Sequence, residues 1–156
     1  METVVAWLRE QPLVASIAAT VFLILLAYLS DKIAKSILAK TVGRIVERTS
    51  VTWDDVLQRH GFFTRLAHLA PVLAIYYGIA LVPGLPEAFA SLVQHAALAA
   101  MVLVVVLAAD ALLSTGGEIY AASALAHGRP IKGYIQGAKI ILYIVGAIIA
   151  ISALTG

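Results

Sequence analysis

The sequence predicts an all-α integral membrane protein with four transmembrane helices and a basic amphipathic helical extension after the first. Three observations predict it. Hydrophobic residues make up 62% of the 156 residues and charged residues only 13%, well below the roughly one quarter typical of soluble domains. Several apolar runs approach or exceed the ~18–20 residues that cross a bilayer. The Lys and Arg residues gather at the connections between those runs, where cations set orientation. Cysteine is absent, which removes disulfides, thiol catalysis and cysteine-type zinc sites together.

Met1 to Gln11 carries Trp7, Arg9 and Glu10 and reads as an interfacial lead-in. It lacks the positive n-region and cleavage site of a signal peptide. Pro12 suits the first helical position of a first span over about 12–30, where Ser16, Thr20 and Tyr28 alone interrupt the apolar run from Leu13 to Leu29. Asp31 to Ser50 continues without a breaker. Ile33, Ala34, Ile37, Leu38, Val42, Ile45 and Val46 recur at helical spacing, and Lys32, Lys35, Lys40, Arg44 and Arg48 occupy the other side. Two readings stand: a helix lying on or slanting into an anionic leaflet, or a charged face packed on protein. Gly43 marks a place where this helix can bend.

Thr52 is the expected N-cap of a short helix, with Asp54 and Asp55 in its first turn at the positive end of the helix dipole. That makes the two acids structural rather than a catalytic pair. The helix reaches Arg59 or His60 and Gly61 interrupts it. The second span, about 62–82, has a polar entry in Arg65 and His68, and Pro71 is expected to kink it. Pro83-Gly84-Leu85-Pro86 is a tight turn without cations. The third span, about 91–114, is rich in Ala, Val and Leu. Ser114 to Arg129 is expected to be a cytoplasmic turn region opening on Gly116-Gly117, before a fourth span over about 134–154.

Orientation follows from the cations. Lys32, Lys35, Lys40, Arg44, Arg48, Arg59 and Arg65 flank the first long connection, Arg129, Lys132 and Lys139 the second, and only Arg9 lies opposite. Both connections are therefore expected in the cytoplasm, with both chain ends on the periplasmic or outer side of the inner (plasma) membrane.

Asp110 is the most informative single residue, because a carboxylate inside a span is costly and points to function. It is expected about one turn from the cytoplasmic end of the third helix, and Lys139 at a similar depth in the fourth. Either the two pair across the helices or each snorkels separately to the interface. On the fourth helix Gln136, Lys139, Tyr143, Gly146 and Ala150 share a face expected to meet protein, leaving Ile141, Ile144 and Ile148 to lipid. His60, His68, His95 and His127 show no metal-ligand spacing. GxSxG, HExxH and phosphate-loop motifs are absent. The expectation is a protein that is not an enzyme, with no cofactor, no metal and no nucleic-acid partner.

The stretch from Gly128 to Gln136, GRPIKGYIQ, joins the second connection to the fourth span. Arg129 and Lys132 are placed to anchor to lipid headgroups, Pro130 fits the first turn of the helix, and Gly133 and Gly137 form a small-xxx-small pair that admits a close helix. With the following KIILYIVGAIIAISALTG, this stretch resembles the region before the pore helix of the MscS-like mechanosensitive channels, in the five-helix miniconductance branch. TWDDVLQRHGFFTRLAHLAPVLAIYYG is similar to the second-helix region of that branch, so the resemblance runs from about Ser50 to Gly156.

The resemblance implies that residues 1–156 are a transmembrane sensor domain, surrounded by membrane lipids and assembled as a homo-oligomer, a heptamer in that family. It makes the basic helix Asp31 to Ser50, the kink at Pro71 and a hinge from Gly128 to Gly133 the candidate coupling elements. The family's pore helix and cytoplasmic β domain have no counterpart before Gly156, so this chain is expected to sense tension and bind lipid without conducting alone. The competing class is a small non-channel membrane protein, a transporter half or an assembly factor, with Asp110 and Lys139 on a proton or substrate path. A transporter would show an inverted repeat or paired broken helices, and comparing the halves reveals neither.

Overall fold

Every regular element among the described residues is helical, as an apolar solvent demands of a chain that must satisfy its own backbone N–H and C=O groups. The structure, a computed structural model, describes residues 12–46, 53–122 and 131–156. Six α-helices follow in order: α1 (Pro12–Val46), α2 (Trp53–Arg59), α3 (Phe62–Ala67), α4 (Leu69–Gly78), α5 (Glu87–Ala122) and α6 (Lys132–Thr155). A 3₁₀ turn, Ile79–Leu81, extends α4. Four membrane-crossing segments result: α1, the composite of α3, α4 and the 3₁₀ turn, α5 and α6. No strand forms among the described residues. The chain is an all-α, multi-pass membrane protein.

The spans stand in a row. α1 packs on α4 and α3, these pack on α5, and α6 packs on α5. The contacts use small residues, which let backbones approach where lipid removes the hydrophobic drive for association. Ala97, Ala99, Ala108 and Ala111 are buried on α5, and Gly146 and Ala150 on α6. A Cβ at Gly146 would overlap a methyl of Val106, and one at Gly78 a methyl of Leu23. Away from the cationic end, Leu23, Ile79 and Val82 form a small core with Ala19, Leu85, Ala90 and Val93 around it. There the Ser16 hydroxyl donates to the Pro83 carbonyl.

α1 runs unbroken past Gly43 to Val46, so the first span and its basic extension form one continuous 35-residue helix, as the absence of a breaker implied. Two boundaries differ from the sequence reading. The second span breaks at His68, three residues before Pro71. Pro71 has no N–H to offer the Ala67 carbonyl and its ring crowds that group, so the ladder fails one turn upstream of the proline itself. The third span is longer at both ends. α5 has 36 residues, about 54 Å at ~1.5 Å per residue, against a hydrocarbon core of ~30 Å.

Gly116 and Gly117 are therefore helical rather than a turn. The Ile135 methyl lies where a side chain at Gly117 would stand, and the Ser114 and Thr115 hydroxyls donate back to the Asp110 and Ala111 carbonyls at 2.8 Å. Continued packing against α6 offsets the roughly 1 kcal/mol that each glycine costs a helix interior. Gly61 does interrupt the chain as expected. It ends α2 at φ 70°, a left-handed conformation open to glycine and costly to other residues. Thr52 lies outside the described residues, as does the side chain of Asp54; Asp55 is exposed in α2.

Candidate functional site

The fold gathers charge from three spans at one point. α5 and α6 run antiparallel in a register that sets Val106 against Gly146 and Gly117 against Ile135. Asp110 lies between these two contacts and faces α6 at Lys139. Lys139 Nζ is 2.8 Å from Asp110 Oδ1, and Arg65 Nη1, from α3, is 3.3 Å from Oδ2. Tyr143, one turn along α6 from Lys139, adds a hydroxyl beside the same carboxylate. The Asp110 side chain is only 12% exposed, so its charge is held by partners rather than by solvent.

Each cation has a second anchor. Lys139 donates to the Ser114 hydroxyl at 2.6 Å, and Arg65 donates to the Leu107 carbonyl one turn above Asp110. Loss of one ion pair thus leaves neither cation without a partner. The sequence reading placed Arg65 only as a polar entry to the second span and a cation that sets orientation. Its position three residues after the start of that span, on a helix antiparallel to the third, was the available signal.

A second cluster lies two turns along the same face of α5. Glu118 Oε1 is 2.8 Å from Arg59 Nη2, and Glu118 Oε2 is 2.9 Å from His60 Nε2. The spacing Asp110, Ser114, Glu118 keeps all three polar groups on one stripe. This cluster was not anticipated, because α5 was expected to end at Ser114. Val56, 5% exposed, is the buried apolar residue of α2. Chemically the two clusters are clasps: one carboxylate of α5 binds two cationic or titratable groups from neighbouring elements.

Comparison with protein-family models, with curated proteins and with solved structures finds no match.

The other sequence-predicted residues fall as follows. Arg129, Pro130, His127 and Arg48 lie outside the described residues, as does the side chain of Arg44. Lys132 begins α6, and a Cβ at Gly133 or Gly137 would meet open space. That pair admits a close helix, and α5 does not occupy the position. On α1, Lys32 lies over the Tyr28 ring at 5.4 Å and Lys40 is exposed. Lys35 is half-exposed. It pairs with Asp31 at 2.7 Å and lines a cavity of about 100 Å3 with Gln58, Phe63 and Thr64. Ile33 and Ile37 take the exposed face instead.

Of the α6 face, Lys139, Gly146 and Ala150 meet α5 and Gln136 is exposed, while Ile141, Ile144 and Ile148 are exposed as expected. His68 Nδ1 lies 2.7 Å from the Thr64 carbonyl, and His95 Nδ1 3.3 Å from the Ser91 hydroxyl. Among the described residues no cluster of His, Asp or Glu could hold a metal ion.

Proposed function

We propose that the chain is the tension-sensing transmembrane region of an MscS-like mechanosensitive channel subunit, acting in a homo-oligomer in the inner (plasma) membrane and protecting cells against osmotic downshock. The observation that carries this reading is the Arg65–Asp110–Lys139 clasp. It joins the second, third and fourth spans, so that a lateral force on one is borne by all three. The resemblance of GRPIKGYIQ and the following apolar run to that family supplies the channel class.

The physical mechanism is a population shift. A stimulus moves an equilibrium only through its differential interaction with the two states, and tension favours the state of larger membrane area. A sensor must therefore offer lipid a broad apolar face and move as a unit. The exposed isoleucines of α6 and the exposed Ile17, Phe22, Ile24 and Leu25 of α1 supply such faces. The break at His68 is where the second span can change its tilt.

The test is expression of the complete open reading frame that encodes this chain, in bacteria lacking their own mechanosensitive channels. The expected result is improved survival of hypo-osmotic downshock and a current activated by suction on membrane patches, with a threshold altered by Asp110→Asn. Patches that reach lysis without a current, together with unimproved survival, overturn the proposal and leave a transport or assembly role.

A further inference from the structure

Beside the second clasp, α5 and α6 leave a cleft of about 480 Å3 between them. Its walls are mostly apolar, with Ile131 and Ile135 on the α6 side, and Ile135 packs across Gly117 of α5. Its charged and polar groups are Ser114, Glu118, Lys132, Gln136 and Lys139.

Their engagement is uneven. Lys139 is held by Asp110 and Ser114, and Glu118 is held by Arg59 and His60. Lys132 and Gln136, one helical turn apart on α6, make no ion pair or hydrogen bond with another side chain among the described residues and are exposed. Taken with the two clasps beside it, the cleft region holds four cations, Arg59, Arg65, Lys132 and Lys139, against the two carboxylates Asp110 and Glu118, an excess of positive charge. The cleft thus combines a free ammonium and a free amide at its mouth with an aliphatic wall. That combination fits an amphiphile with an anionic head better than a small soluble anion, which gains nothing from Ile131 and Ile135. Lys132, the first residue of α6, stands at the depth where spans meet headgroups.

We infer that the α5–α6 cleft seats one anionic phospholipid, its phosphate on Lys132 and Gln136 and an acyl chain along Ile131 and Ile135. The inference rests on the membrane location alone and is independent of tension gating, so the two readings fail separately.

Native mass spectrometry of the full chain in detergent, titrated with dioleoyl phosphatidylglycerol or dioleoyl phosphatidylcholine, tests it. Phosphatidylglycerol is expected to be retained in preference to phosphatidylcholine. Lys132→Gln should lower its retention about fivefold, the effect of one basic residue at an anionic surface, while Lys40→Gln, which removes the same charge from α1, should not. Ala121→Phe, which fills the cleft without changing charge, should lower retention of the lipid as well, and it keeps the test valid if Lys132→Gln disturbs folding. Equal retention of the two lipids, equal losses from Lys132→Gln and Lys40→Gln, or full competition by glycerol phosphate would each overturn the inference, the last in favour of a soluble anion.

Discussion

Replacing Asp110 by Asn and Lys139 by Met, singly and together, measures the clasp directly. Breaking a fully buried ion pair costs about 3–5 kcal/mol, whereas polar contacts between membrane helices average about 0.6 kcal/mol and reach about 1.7. The clasp lies between these limits: Asp110 is 12% exposed but Lys139 is 27% exposed. The coupling expected is therefore about 1–2 kcal/mol. The two single changes should also differ. Lys139→Met leaves the carboxylate with Arg65 at 3.3 Å, while Asp110→Asn leaves two cations facing a neutral amide. Asp110→Asn is thus expected to cost about 2–3 kcal/mol and Lys139→Met about 1–2. Reversible unfolding in mixed micelles, followed by circular dichroism, reads all four corners of the cycle. A coupling below about 0.3 kcal/mol, the scatter of independent sites, would refute the pair. A Lys139→Met cost equal to that of Asp110→Asn would refute the role assigned to Arg65.

Other consequences are open to measurement. Gly146→Ala forces its new methyl into the β-branched Val106, so thermal melting in detergent should show a loss of about 1–3 kcal/mol, partly recovered by adding Val106→Ala. Gly61→Ala places a side chain at φ 70° and should cost about 1–2 kcal/mol, read by the same melt, with faster hydrogen exchange confined to α2 and α3. Glu118→Gln removes the carboxylate that Arg59 and His60 share, whose side chain is 41% exposed. Its cost should stay below about 1 kcal/mol and fall further in high salt. Gly137→Val meets open space and should leave the stability of the single chain unchanged, while cross-linking reports whether it prevents subunits from associating.

The spans were legible because period and length suffice for them: a long apolar run bounded by cations has few other readings. Their ends were not. Gly116-Gly117 reads locally as a turn, and only the position of Ile135 on a distant helix makes it a continuous part of α5. The same displacement concealed Glu118, which local reading placed in a turn and the structure places on the stripe below Asp110. The Asp110–Lys139 approach was accessible from matched depths on adjacent antiparallel spans. Arg65 was harder, since a cation at a span entrance already had a sufficient explanation in orientation. Pro71 was a correct sign of irregularity with the wrong address, because a proline disturbs the carbonyl one turn before it. Lys35 pairs with Asp31, four residues earlier on the same helix, a contact that the spacing alone allows.

The row of spans has a bearing on how the chain is made. Each span rests on the one before or after it in sequence, so docking can begin as soon as the second of any two neighbours leaves the insertion machinery. The row is also divisible. A deletion of α1 would leave α2 to α6 with Asp110 and Glu118 still engaged, and the α5–α6 hairpin is the smallest piece that retains Asp110 with Lys139. Assembly by accretion, one neighbour at a time, is written into the order of the helices.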